Sequence, residues 1–258
     1  MLINKSKINF YKEHGYLILR NCLDKKKILT LQENVEKLLS REFKNLDITI
    51  KKNNIIQKGF PLLKKKYPMV NSKIYRSINR SYFFSKFIFH QQISQLAKKI
   101  LEVKRTEFLG CISPTYRIDV PGDKKNIRNW HQESNYFKDV AHGHEATVCW
   151  IPLNKSHAKN GSVIIAPGTH SYGNIKANEI NAKALKSQQF ILPKNVLKNS
   201  KKKISIDANI GDMAFINFDL FHSSGKNQSS SVRNTAQIRF IRNDVLSYNP
   251  PMMAELYD

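Results

Sequence analysis

From Arg105 onward the chain breaks into short β-rich runs bounded by turn residues, and this pattern limits the possible folds more than any other feature. The runs are EFLGCISPTYRIDV, IRNWHQESNYF, ATVCWIPLN, GSVIIAPGTH, ISIDANIGDMAFINF and TAQIRFIRND, with Pro121-Gly122-Asp123 among the turns. Strand-forming residues in runs this short, punctuated this often, predict a β-barrel or sandwich. A basic, Asn-rich piece at about 174–203 interrupts the series and reads as a surface insertion with some helix.

The first hundred residues carry a helical period instead. Residues 8–20, INFYKEHGYLILR, read as a short helix broken at Gly15 and followed by an apolar strand. Asp24 is placed to cap a helix whose apolar stripe is Ile28, Leu31, Val35, Leu38 and Leu39. Residues 44–66 contain Gly59 and Pro61 and little periodicity, so they read as a basic loop. From Asn71 to Glu102 the pattern is helical again, with Phe87, Ile88, Ile93, Leu96, Ile100 and Leu101 on a core face and Tyr82-Phe83-Phe84 as core filling. The expected organisation is a single domain over 1–258, with a helical layer (1–104) against a β core (105–258).

Composition narrows the function classes. No apolar run reaches the roughly eighteen residues that span a bilayer, and the charged N-terminus does not read as a secretory signal. Cys22, Cys111 and Cys149 form an odd set without a CxxC pair, which suits reduced thiols in a cytoplasmic protein. The formal charge of +23 implies either an anionic partner or compositional drift, because Lys, Asn and Ile are abundant throughout. The lysine runs (25–27, 64–66, 201–203) are not interleaved with aromatics as a platform for single strands would be, which argues against nucleic acid.

Against this background, Trp130-His131-Gln132-Glu133-Ser134 stands out. On a strand, His131 and Glu133 leave the same face, and together they make two thirds of a 2-His-1-carboxylate site for non-haem Fe(II). His222 follows 222 − 131 = 91 residues later, a separation natural for two strands facing across a barrel. Arg233, eleven residues beyond, heads the strand NTAQIRFIR, and an arginine aimed into an apolar barrel needs an anion, for which its planar fork suits a carboxylate. The cluster His142-Gly143-His144-Glu145 reads as a loop entering a strand, and His170 as part of a structural turn. His14, His90 and His157 have no constellation around them, and Asp219 fits a strand end. Arg117, Arg128, Arg239 and Arg242 are read as solvated strand arginines that could alternatively line the mouth.

Several phrases in order resemble the phytanoyl-CoA dioxygenase family of Fe(II)/2-oxoglutarate oxygenases. They are HGYLILRNCLD, VPGD with WHQES, CWIPLNKSHAKNGSVIIAPGTHSYG, and DLFHSSGKNQSSSVRNTAQIRF. The resemblance covers most of the chain. It implies a mainly β fold with flanking helices: a double-stranded β-helix (jelly-roll, cupin-like) barrel under an N-terminal helical layer. It implies His131, Glu133 and His222 as iron ligands and Arg233 as the anchor of 2-oxoglutarate. Ser224 matches a position that helps hold the same carboxylate, and Trp150 and Tyr116 fall beside co-substrate-contacting positions. The family usually has Asp where this chain has Glu133, which puts the geometry in question; a retained carboxylate argues against halogenation.

The implied cofactors are Fe(II), 2-oxoglutarate and O2, and the implied reaction is hydroxylation of a C–H bond of a small, possibly anionic metabolite, with release of succinate and CO2. Two other readings compete: a basic protein that binds anions or nucleic acid, and a catalytically inactive relative spoiled by Glu133. The sequence names neither the substrate nor the oligomeric state.

Overall fold

The computed structural model describes residues 3–51, 54–104, 108–124, 126–137, 141, 143–182, 187–198, 200 and 202–242. Helix α1 (Lys5–His14) ends at Gly15, whose φ of 74° lies in the left-handed region, and strand β1 (Tyr16–Leu19) follows at once. A Cβ on Gly15 would also sit 2.4 Å from His170 Nδ1 and 2.8 Å from Leu220 Cδ1, so both the turn and the packing exclude a side chain there. The Asp24 side chain accepts from the Lys26 N–H and caps α2 (Lys25–Asn45), which buries Ile28, Leu31, Val35, Leu39 and Phe43.

The expected loop at 44–66 is corrected by the structure, which forms helix α3 (Ile55–Lys66) there. Ile55, Ile56, Phe60 and Leu63 are buried on one face, and Gly59 lets the helix approach the Phe43 ring, 2.8 Å from where a Cβ would be. Tertiary burial of that stripe outweighs the local penalty of Gly59 and Pro61 within the helix. Helices α4 (Pro68–Asn79), α5 (Tyr82–Ile88) and α6 (Gln91–Ile100) complete the helical part. Phe84 is buried and Phe83 packs at the margin, but Tyr82 is 80% exposed: it opens α5 on its outer side and is not core filling.

The β half comprises β2 (Leu109–Asp119), β3 (Ala146–Pro152), β4 (Val163–Ile165), β5 (Asn178–Ala182), β6 (Ser187–Ile191), helix α7 (Lys194–Lys198), β7 (Ile204–Ser205), β8 (Met213–Asn217), β9 (His222–Ser224) and β10 (Arg233–Arg242). Two antiparallel sheets carry the architecture. The larger has order β1-β8-β3-β10-β2 and the smaller β7-β4-β9. Within 174–203 the described residues form the β5–β6 hairpin and then α7, so the expected helix is present, beside β structure that the reading did not include.

Alternation along the larger sheet sorts its residues between two cores. Cys111, Tyr116, Cys149, Ile151, Phe215, Ile238 and Phe240 join the helices in one buried cluster. Val148, Trp150, Ala214 and Ile216 point the other way and meet Val163 and Ile165 of the smaller sheet. Strand β3 is buried along its whole length, which is why ATVCWIP reads as a continuous apolar run. The three cysteines are free and buried, and burial pushes the Cys22 and Cys111 thiols up to about 12. Among the described residues, no helix is long and apolar enough to cross a membrane.

Candidate metal centre

The stretch around His131 is not a regular strand. His131 forms a single antiparallel bridge with His222, and Glu133–Tyr136 turns at once into a short 3-10 helix. The two histidines therefore do not face each other across a barrel. They are backbone neighbours, with N–H to O=C bonds of 3.0 Å in both directions. The even positions clamp the turn: Gln132 Nε2 donates to the Gly173 and Asp219 carbonyls, each at 2.7 Å, and Ser134 Oγ donates to Asp219 Oδ1 at 2.5 Å. Asp219 is thus a fastener of this turn and not a ligand. Fixing Gln132 and Ser134 on that side leaves His131 and Glu133 to face the cavity.

His131, Glu133 and His222 are all buried, and one potential ligand atom from each lies within 4.8 Å of the others. Glu133 Oε2 is 3.4 Å from His222 Nε2 and 3.9 Å from His131 Nε2. The Nδ1 atoms contact main-chain carbonyls, His131 with Asn129 at 2.6 Å and His222 with Leu220 at 2.9 Å. A carbonyl can only accept, so each Nδ1 carries the proton and each Nε2 presents a lone pair to the centre. Burial lowers the His131 pKa to about 3, so this imidazole is neutral and ready to ligate. Burial alone would raise the Glu133 carboxyl, but the Arg239 guanidinium outweighs it and holds the group ionised. Two imidazole nitrogens and a carboxylate are the donor set that suits a divalent iron.

The three residues sit in the wall of a cavity of about 310 Å³ between the two sheets. Arg117, Arg128, Arg233 and Arg239 also line it, and Glu133 is the one carboxylate among the described lining residues. The Arg233 side chain is 3% exposed; its Nη2 donates to Asp119 Oδ2 at 2.7 Å and its Nε to the Asn160 carbonyl at 3.2 Å. The anion that a buried arginine requires is thus supplied in part by the chain itself. Arg117 grips the same carboxylate through Nε, at 3.1 and 3.0 Å from its two oxygens. Burial would raise the Asp119 carboxyl, but Arg117 and Arg233 override it and hold the group below the usual carboxylate range.

Ser224 lines the cavity, and its hydroxyl accepts from Arg117 Nη2 at 3.0 Å and the Arg128 N–H at 3.1 Å, which leaves its own proton to donate. Trp150 lines it too, and its buried indole Nε1 has no hydrogen-bond partner among the described residues. An orphaned donor beside an arginine-rich wall fits a carboxylate-bearing co-substrate such as 2-oxoglutarate. Tyr116 does not join them. It lies on the helical face of β2 against Phe84, while Thr115 and Arg117 on either side reach the cavity, so strand alternation excludes it from a co-substrate role.

The reading of Arg117, Arg128 and Arg239 as solvated is corrected, since all three line the cavity; Arg242 does not. The signal was present in strand parity: Arg239 lies six residues from Arg233 and shares its face, whereas Arg242 is an odd number of positions away. His144 is exposed and outside the cavity, and His142 falls outside the described residues. His170 is structural, with Nε2 2.8 Å from the Lys12 carbonyl. The β5–β6 hairpin borders the site: Leu192 N–H donates to the Trp130 carbonyl at 2.9 Å, and Phe190 packs edge-on against Tyr136, which itself packs on His131.

A family model described as phytanoyl-CoA dioxygenase matches residues 11–235. The peroxisomal phytanoyl-CoA dioxygenase of Homo sapiens is 22% identical over 246 residues, covering 91% of this chain and 67% of the relative. A probable phytanoyl-CoA dioxygenase of Caenorhabditis elegans is 19% identical over 260 residues, covering 96% and 78%. Among solved structures, EvdO2 from Micromonospora carbonacea var. aurantiaca, complexed with 2-oxoglutarate, matches with a TM-score of 0.63 at 15% identity, covering 97% of this chain and 95% of that one. EctD from S. alaskensis, with 2-oxoglutarate and 5-hydroxyectoine, matches with a TM-score of 0.62 at 13% identity, covering 93% and 76%. At these identities the structural likeness is one of fold.

Proposed function

The chain belongs to the phytanoyl-CoA dioxygenase family of Fe(II)/2-oxoglutarate-dependent oxygenases, and from that premise we propose that it hydroxylates a C–H bond of a small anionic metabolite. The observation that carries this reading is the convergence of His131 Nε2, Glu133 Oε2 and His222 Nε2 in the wall of an arginine-lined cavity. In this reading those three atoms hold Fe(II). Arg233, the Ser224 hydroxyl and the Trp150 indole N–H hold the co-substrate. Bound iron and 2-oxoglutarate supply the oxidising power: O2 is reduced, the keto acid leaves as succinate and CO2, and one oxygen atom enters the substrate.

The residues of this chain do the rest. The Asn129 and Leu220 carbonyls hold the two imidazoles in the ligating tautomer. Val148, Val163 and Ile216 supply an apolar wall that excludes bulk water from the reacting carbon. Four arginines line the cavity and only Glu133 and Asp119 offset them, a positive excess that favours a substrate carrying negative charge. The two sheets are read as the halves of a double-stranded β-helix. The chain is read as one domain, since its largest buried cluster joins α2–α6 to β2, β3, β8 and β10. Three free, buried thiols favour a reducing compartment such as the cytoplasm. Glu133 reaches the histidines, which removes the geometric objection that made an inactive relative attractive.

Anaerobic loading with Fe(II) and 2-oxoglutarate, followed by O2 and a panel of phosphorylated and carboxylated metabolites, tests the reading. Succinate is expected to form stoichiometrically with hydroxylated product, and to disappear in H131A and H222A. Undiminished succinate in those variants would overturn it.

A further inference from the structure

Arg239 does something the facial-triad reading does not require. Its Nε lies 2.5 Å from Glu133 Oε1, while Oε2 lies 3.4 Å from His222 Nε2 and 3.9 Å from His131 Nε2. Building this contact takes a local irregularity. The β10–β2 register runs Gln237↔Thr115 and then Arg239↔Ile112, so Ser113 and Pro114 bulge out of β2. Ser113 adopts a φ of 44°, in the left-handed region that a non-glycine residue rarely enters. Its carbonyl thereby accepts from Arg239 Nη1 at 2.6 Å. The Phe137 ring lies 5.6 Å from the same guanidinium. The side chain is therefore held on three sides by a bulge, a carbonyl and a ring.

Resting on the iron-site reading, we propose that Arg239 is a positioning residue that fixes Glu133 as a one-oxygen ligand. A glutamate has one more rotatable bond than an aspartate, and a carboxylate free to rotate can present both oxygens to a metal. Two-oxygen binding would occupy one of the three positions that a facial triad leaves open for co-substrate and O2. Arg239 prevents this by engaging Oε1 in a charge-assisted hydrogen bond, which must break before that oxygen can turn inward. The longer side chain and the arginine thus form a matched pair: the methylene supplies the reach and the guanidinium removes the freedom.

The test uses Mn(II) as a redox-silent probe in the full chain, with crystal structures of the loaded wild type and R239Q and water-proton relaxation of both. Wild type is expected to bind Mn(II) through Oε2 alone, with Arg239 still on Oε1. R239Q is expected to bind through both oxygens, with relaxation enhancement lower by about one third, as one of three open positions is lost. R239K, which keeps the charge but not the fork, is expected to fall between. One-oxygen coordination and equal relaxation in R239Q would overturn the proposal while leaving the metal site intact. So would two-oxygen coordination in the wild type, a result that does not depend on any variant folding. Failure of wild type to bind Mn(II) or Fe(II) at all would instead remove the reading on which the proposal rests.

Discussion

The main chains of His131 and His222 exchange two hydrogen bonds of 3.0 Å, so ligands separated by 91 residues in sequence are direct backbone neighbours. With each Nδ1 also anchored on a carbonyl, the main chain itself fixes both imidazoles. Chelation is therefore expected to leave the far-UV circular dichroism unchanged. It should lower stability only by the mass-action contribution of the lost ion, about 2.7 kcal/mol at a hundredfold excess over Kd. Loss of secondary structure on adding EDTA would contradict a preformed site.

Asp119 sits between Arg117 and Arg233, and removing its charge leaves two buried guanidinium groups uncompensated. D119N is expected to cost about 3–5 kcal/mol at pH 7, read by urea unfolding, and to weaken 2-oxoglutarate binding by disordering Arg233. Because the folded-state pKa of Asp119 is depressed, its contribution is fully present above about pH 4 and fades as pH falls through the lower folded value. The stability gap between D119N and wild type should therefore narrow below pH 4. A constant gap down to pH 3 would show that the carboxylate charge is not what matters.

Trp150 offers an indole N–H that no atom of the described residues accepts. W150F removes that donor but keeps an aromatic ring in the apolar wall, so the melting temperature should stay close to that of wild type. The dissociation constant of 2-oxoglutarate, measured by calorimetry with Mn(II) present, is expected to rise about 2–10-fold, the worth of one hydrogen bond. Unchanged affinity would mean that the indole serves another group.

Gly15 combines a positive φ with a neighbour 2.4 Å from the missing Cβ. G15A is expected to destabilise by more than about 1 kcal/mol, from backbone strain and from displacement of His170 and Leu220. Thermal unfolding reads this directly. A neutral result would show that the α1–β1 corner relaxes without cost.

Much of this was legible in the sequence because the governing signals are local. The Asp24 cap, the Gly15 break and the α2 stripe depend on residues within a turn or two of each other. The helix at 55–66 was not legible, since its formation depends on Phe43 and the core that receives Phe60 and Leu63, while Gly59 and Pro61 argue locally for a loop. The site shows the same division. His131, Glu133, His222 and Arg233 stand in recognisable phrases, and the structure brings the first three together and puts all four in one cavity wall. The Asp119 bridge and the Arg239–Glu133 contact join residues 114 and 106 positions apart, and pairing at that distance leaves no periodic trace. Tyr116 and its neighbour Arg117 leave opposite faces of β2, and a resemblance that places Tyr116 only near a co-substrate position does not tell which face reaches the cavity.

The β5–β6 hairpin meets the centre through Phe190 and Leu192, while the ligands hang on the bridge and the 217–220 turn. The hairpin that borders the site and the turn that holds the His-Glu-His cluster are thus separable pieces of chain. Changes in the hairpin can therefore alter the border of the cavity without touching His131, Glu133 or His222. That separation gives such a scaffold room to diversify: the oxidising centre is inherited whole, and its clientele is renegotiated one loop at a time.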